Sequence, residues 1–218
     1  MKKNLFITRV LTFMIMYSFI LGTCLFAQNN NGHKVIKLLT QTNNPLSTGA
    51  IKNIRIITAL ADSTTLGYIR QQEGNETIKL FPDNKMTNWL QTFVDNNYKS
   101  VFVHNGRSIL WVIRHLSVSE DSSGTNVFTR LIAAVYNVSG KENYQLFKNI
   151  DTVLTISNTT DSSAGAVVSA IQYLIGASNT TSLNALNNTA ITTTESDILS
   201  QINQLRNIRI LKDSTYKQ

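Results

Sequence analysis

The sequence predicts an α+β fold: an antiparallel sheet built on a three-strand meander, with two or three helices packed on it. Three observations predict it. Between residues 108 and 156 three long β-prone runs follow one another through short polar turns, and the helical patterns lie outside that block. The central run, Arg107-Ser-Ile-Leu-Trp-Val-Ile-Arg-His-Leu-Ser-Val118, is apolar on both alternating faces. Strands joined by short turns pair antiparallel, and a strand apolar on both faces has to be covered on both. Strict alternation puts Ile109, Trp111 and Ile113 on one side, and Leu110, Val112, Leu116 and Val118 on the other.

The N-terminus has the layout of a secretory leader. Lys2, Lys3 and Arg9 are the only charges before residue 34, and an apolar run from Val10 to Leu21 follows them. Ala27, before the polar Gln28-Asn-Asn-Asn-Gly32, marks the expected cleavage point. Two alternatives stay open: a lipobox-like Leu21-Gly-Thr-Cys24 with a lipid on Cys24, or Val10 to Ala27 kept as an anchor. All three place the bulk of the chain outside the cytoplasm. Cys24 is the only cysteine, so the exported chain has no disulfide, thiol nucleophile or cysteine zinc site. Without the leader's three cations, twenty basic residues fall to seventeen against thirteen acidic ones, a net +4 instead of +7. Those cations are scattered, which argues against a nucleic-acid partner.

The organisation expected is a signal peptide at 1–27, a flexible lead-in at 28–49, and an α+β core domain at 50–176. An Asn/Thr-rich loop at 177–193 and a C-terminal helix and tail at 194–218 follow. Val35 to Leu39 in the lead-in reads as a short edge strand. Ala50 to Leu60 is the first full strand, with Ile54, Ile56 and Leu60 on one face and Ile51, Ile57 and Ala59 on the other. Two short runs, Leu66 to Arg70 and Thr77 to Phe81, flank a hairpin turn at Gln71-Gln-Glu-Gly-Asn75. Asp83 then caps a helix with Met86, Trp89, Leu90, Phe93 and Val94 in one stripe. Asn105-Gly106 is read as a two-residue hairpin delivering the central strand.

The meander continues through Val127 to Val138 and the more polar Tyr144 to Ile156, which is expected to bend near Asn149. A second helix, Ser162 to Gly176, carries Ala164, Val167, Val168, Ile171, Leu174 and Ile175 on one side. Ala177 to Thr194 has little to bury and is read as a loop. Thr194-Glu-Ser-Asp197 resembles a capping box and opens a third helix with Ile198, Ile202 and Leu205. Asn207 to Leu211 is read as a last strand or the entry to a missing segment.

The search for chemistry assigns no catalytic, cofactor-binding or metal-ligating residue, and no cofactor. Arg114 and His115 are adjacent, which on a regular strand sends them to opposite faces. His104 sits beside a tight turn and His33 in the lead-in, with no second ligand spaced for a metal. Glu120 and Asp121 fit a solvated turn better than an acid–base pair. Asp62-Ser-Thr-Thr65 lacks a nucleophile elbow, and the glycine turns lack the lysine of a phosphate loop. Trp89, Phe93 and Trp111 could line a groove, yet their spacing is what a core needs. Five Asn-x-Ser/Thr sequons, at Asn75, Asn137, Asn158, Asn179 and Asn187, fit chance in an Asn- and Thr-rich chain.

The leader end Leu-Phe-Ala-Gln28, the block from His104 to Val118 and the tail from Ile208 to Gln218 together resemble an uncharacterised family of proteins exported by Bacteroidota. Members of that family continue beyond the tail, which implies that Gln218 is not the natural end. The order of elements, with an Asp…Leu-Gly turn at Asp62 to Gly67, is also similar to the envelope lipoproteins that accompany ABC transporters. That resemblance implies a non-catalytic accessory with an envelope protein as partner, touching the membrane only through the leader or a lipid on Cys24. The function expected is therefore a periplasmic or outer-membrane-associated binding or assembly component. A secreted hydrolase with acid–base residues from distant loops, and an adhesive protein displaying the Asn/Thr-rich loop, are the rival readings.

Overall fold

In the computed structural model, which describes residues 32–38, 51–60, 64–70, 77–140, 143–157, 162–179 and 192–204, a single sheet runs through the whole described chain. Its strands are β1 (His33–Ile36), β2 (Ile51–Thr58), β3 (Gly67–Arg70), β4 (Thr77–Pro82), β5 (Arg107–Glu120), β6 (Asn126–Ser139), β7 (Asn143–Ser157) and β8 (Thr192–Thr193). Helix α1 (Met86–Tyr98) lies between β4 and β5, α2 (Ser162–Asn179) follows β7, and α3 covers 195–204 after β8.

The meander β5–β6–β7 is antiparallel, as its turns predict. The sheet as a whole is mixed, which corrects the expectation of a purely antiparallel one. Strand β2 pairs parallel with the first half of β5, from Ile51↔Arg107 to Thr58↔Ile113. The β3–β4 hairpin joins the same edge farther along, through the parallel pairs Gly67↔Val118 and Tyr68↔Ser119. Strand β1 then adds in parallel to β4. Parallel partners need a long crossover, and here the β3–β4 hairpin and α1 supply it between β2 and β5. That arrangement also overturns the Asn105-Gly106 hairpin. The edge it would have used is taken by β2, and Phe102 to Gly106 make a turn whose Gly106 N–H donates to the Val103 carbonyl at 3.0 Å.

The central strand is covered on both faces. On the first face α1 and α2 lie over Ile54, Ile56, Ile109, Trp111, Ile113, Leu131, Ala133 and Val135. Met86, Trp89, Leu90, Phe93 and Val94 of α1 are all buried there, together with Tyr98. The Trp111 side chain is wholly enclosed, and its indole N–H donates to Ser178 Oγ at 3.0 Å. Ser178 in turn donates to the Leu174 carbonyl, so α2 runs past Gly176 to Asn179 instead of ending there. On the second face Leu110, Val112, Ala134, Tyr136 and Tyr144 meet Ile198 and Ile202 of α3. Burying those two isoleucines contributes about 3–6 kcal/mol gross.

Two register shifts revise the face assignments. A bulge between Ile113 and His115 returns Leu116 and Val118 to the first face, beside Trp111. A shift between Ile51 and Asn53 likewise turns Ile51 into the first core, while Ile57 and Ala59 pack on the second. The bend expected near Asn149 is a third shift, opposite Val135 and Tyr136, just before Lys148. Asp83 does not cap α1: Lys85 holds the N-cap position with no side-chain bond, and Asn84 Oδ1 accepts from the Lys85 N–H at 2.7 Å. Pro82 still belongs to β4, which leaves Asp83 too far from the first turn. The expected loop from Ala177 is helix as far as Asn179, and Thr192 and Thr193 form β8. The leader, the 71–76 turn, residues 180–191 and Leu205 to Gln218 lie outside the described residues. No helix among the described residues is long and apolar enough to cross a membrane.

Candidate functional site

The Ile113/His115 bulge governs the two adjacent polar residues at the middle of β5. It spends one residue without advancing the pairing, so Arg114 and His115 both lie on the second face instead of opposite ones. Arg114 Nη2 donates to Asn149 Oδ1 at 3.0 Å, and His115 Nε2 sits 2.9 Å from Ser117 Oγ. Alternation alone contains no sign of a bulge, and so the sequence separated what the structure brings together.

The remaining histidines and acidic residues stay apart. His104 is exposed, in a depression with Lys52, Asp95, Lys99 and Phe102. His33, exposed on β1, meets the Phe81 ring edge-on, centroids 5.2 Å apart. Glu120 Oε2 accepts from the Arg70 N–H at 2.8 Å. Asp121 organises its own turn: it accepts from the Thr125 N–H at 2.9 Å, from Thr125 Oγ1 at 3.0 Å and from Asn126 Nδ2 at 2.9 Å. Desolvation opposes its charge, but the hydrogen bonds from Asn126, Thr125 and Ser123 prevail and hold its carboxyl well below the usual range. Phe93 and Trp89 are core residues that also floor a depression of about 200 Å³ with Leu38 and Asn96, where the buried Trp89 indole N–H has no partner. Asp62 and Ser63 lie outside the described residues, as do the sequons at Asn75, Asn158 and Asn187. Asn137 is half-buried in β6 and Asn179 closes α2.

One polar cluster escaped the sequence. Arg55 of β2, Tyr144 of β7 and Glu195 of α3 converge beside the second core. Arg55 Nη2 donates to Tyr144 Oη at 2.9 Å and pairs with Glu195 Oε2 at 2.8 Å, while Tyr144 Oη donates to Glu195 Oε2 at 2.8 Å. The hydrogen bond from Arg55, then the one from Tyr144, lowers the Glu195 pKa, and the Arg55 pKa rises in response to the same carboxylate. The three residues come from elements 89 and 51 positions apart, so no local motif announces them. The local signal that does exist is the capping box: Thr194 Oγ1 donates to Asp197 Oδ2 at 2.7 Å and accepts from the Asp197 N–H at 3.2 Å, which fixes Glu195 in the first turn. The cluster acts as a latch on α3, since Arg55 Nη2, Tyr144 Oη and Glu195 Oε2 bond to one another across β2, β7 and α3.

Beyond α3 the second face continues over the far halves of β5, β6 and β7 and onto the β1–β4–β3 wing. No described element lies over it. Tyr68 is 53% exposed and Val153 49%, beside half-buried Phe128, Ile132 and Lys79. Arg130 is paired with Asp151 there, leaving Arg114 and Lys79 as further cations. This open area, part aromatic, part aliphatic and net positive, is the main candidate for recognition. Among the described residues no group of three or more His, Cys, Asp or Glu side chains could hold a metal ion.

No protein-family model matches the chain, and no curated protein does. Among solved structures, an uncharacterised protein is similar over 66% of this chain and 95% of its own, at 9% identity and a TM-score of 0.39. The lipoprotein GNA1162 from Neisseria meningitidis aligns over 57% of this chain and 97% of its own, at 12% identity and a TM-score of 0.19.

Proposed function

We propose that this chain is a non-catalytic component of the bacterial cell envelope, exported through its leader, that works by binding or assembling with an envelope protein. The observation that carries this reading is the open half of the second sheet face, where Tyr68, Phe128, Ile132 and Val153 stand among cations with no described element over them. An antiparallel sheet can leave one face to solvent, but exposed apolar area rimmed by charge marks interaction surfaces. The leader pattern and the resemblance to exported Bacteroidota proteins support the location. Among the described acidic residues, Asp121, Glu195 and Asp197 serve a turn, a latch and a cap.

A photocrosslinking residue placed at Tyr68 or Phe128 in living cells tests it, with Tyr173 on α2 as the control. The expected result is one defined envelope-protein adduct at both face positions, absent at Tyr173 and lost on adding Arg130→Glu. No adduct at either face position, or the same adduct at Tyr173, overturns the reading. Mass spectrometry of the purified N-terminus distinguishes a chain starting at Gln28 from a lipid on Cys24.

A further inference from the structure

Strand β7 is 15 residues long, yet β8 pairs with only two of them, Tyr144 and Gln145. From Leu146 to Ser157 no described strand pairs with its outer edge. Open edges are ordinarily protected by charge, proline, bulges or shortness. Here the protection stops early. The register shift and Lys148 guard the start, but Asn149 to Ser157 has one charged residue, Asp151, and that is occupied by Arg130. The row is also partly apolar. Leu154 and Ile156 are half-buried against the first core, and Val153 on the opposite face is about half exposed.

We propose that β7 pairs with β7 of a second copy of this chain, antiparallel, about a two-fold axis through Val153. The axis stands normal to the sheet, so each face stays on its own side and only residues of the same parity can be opposite one another. That condition, with the sequence, narrows the register. An axis through Asp151 would set two carboxylates side by side. One through Thr152 would set Lys148 against Ile156 and Asp151 against Val153. The axis through Val153 sets Ile150 opposite Ile156 and Thr152 opposite Leu154 on the first face. On the second face it sets Val153 opposite itself, Asp151 opposite Thr155 and Asn149 opposite Ser157. Nine residues of each copy then pair with no like charges opposed, and the open second faces of the two copies become one continuous surface.

Cysteine substitution tests the register directly, because Cys24, replaced by serine, is the chain's only other cysteine. A residue facing its own copy has a Cα separation of about 4.5–5.5 Å, within disulfide reach, whereas Thr155 would lie about 14 Å from its copy. Mild oxidation is expected to cross-link Val153→Cys fully and Thr155→Cys not at all. Sedimentation equilibrium of the otherwise unaltered protein is expected to give twice the chain mass, and Val153→Lys to restore the single mass while keeping a cooperative thermal melt that no longer depends on concentration. A monomer at every concentration overturns the proposal, as does cross-linking at Thr155, or a dimer that Val153→Lys leaves intact.

Discussion

Gly67 is the residue on which the junction of the two sheet wings depends. Its φ of +134° is a conformation that side chains rarely adopt, and a Cβ there would overlap the Val118 carbonyl oxygen. Backbone cannot yield as a flexible side chain can. Gly67→Ala is therefore expected to destabilise the fold by about 2 kcal/mol or more, read as a lower urea midpoint. The loss should be local in origin, with hydrogen exchange accelerating first at Gly67 to Arg70 and at Val118. The Leu-Gly pair stood out in the sequence as a turn; what it does is let one strand touch another.

At the scale of elements, α3 is held by a small apolar contact and the Arg55–Tyr144–Glu195 latch. The Glu195 pKa is depressed in the folded protein, so the unfolded chain binds the proton more readily. The latch thus contributes fully above the ordinary glutamate range, and its contribution is lost as pH falls through the depressed value. Glu195→Gln is expected to cost about 0.5–1 kcal/mol near neutral pH, modest because the pair is partly exposed. It should also flatten the acid limb of a stability-versus-pH profile obtained by denaturant melts. An unchanged acid limb would show that the latch contributes nothing.

Elements were also where the sequence was most legible. The stripe from Met86 to Val94 and the alternation in Val127 to Val138 follow directly from period and burial. The capping box at Thr194 was visible because both partners lie within one turn. Pairing between distant strands was not, because Ile54 carries no mark of Ile109 as its neighbour. Nor were the bulges, since one unpaired residue such as Arg114 leaves composition and propensity untouched while reversing every face after it. Most of the site's geometry lay in these two blind spots: the second face owes its polar residues to a bulge, and the latch joins three separate elements.

For the molecule as a whole, β5 is the only described strand that both wings and the meander share. Its two sides close over very different lengths of chain. The turns to β6 and on to β7 are short, whereas Ile54 and Ile109 are separated by the β3–β4 hairpin and all of α1. Closing a longer loop costs more entropy before any contact compensates, so local pairings tend to come first. The meander is expected to be the early structure in refolding and β2 the late arrival. Pulsed hydrogen exchange during refolding should protect amides of Leu131 to Val135 before those of Ile54 to Ile57; the opposite order would refute this. Until β2 docks, the β5 edge that it occupies is bare along Ile109 to Ile113, five apolar residues in succession. The crossover that completes the fold thus also sets the interval during which a newly made chain is open to aggregation and to capture by a chaperone.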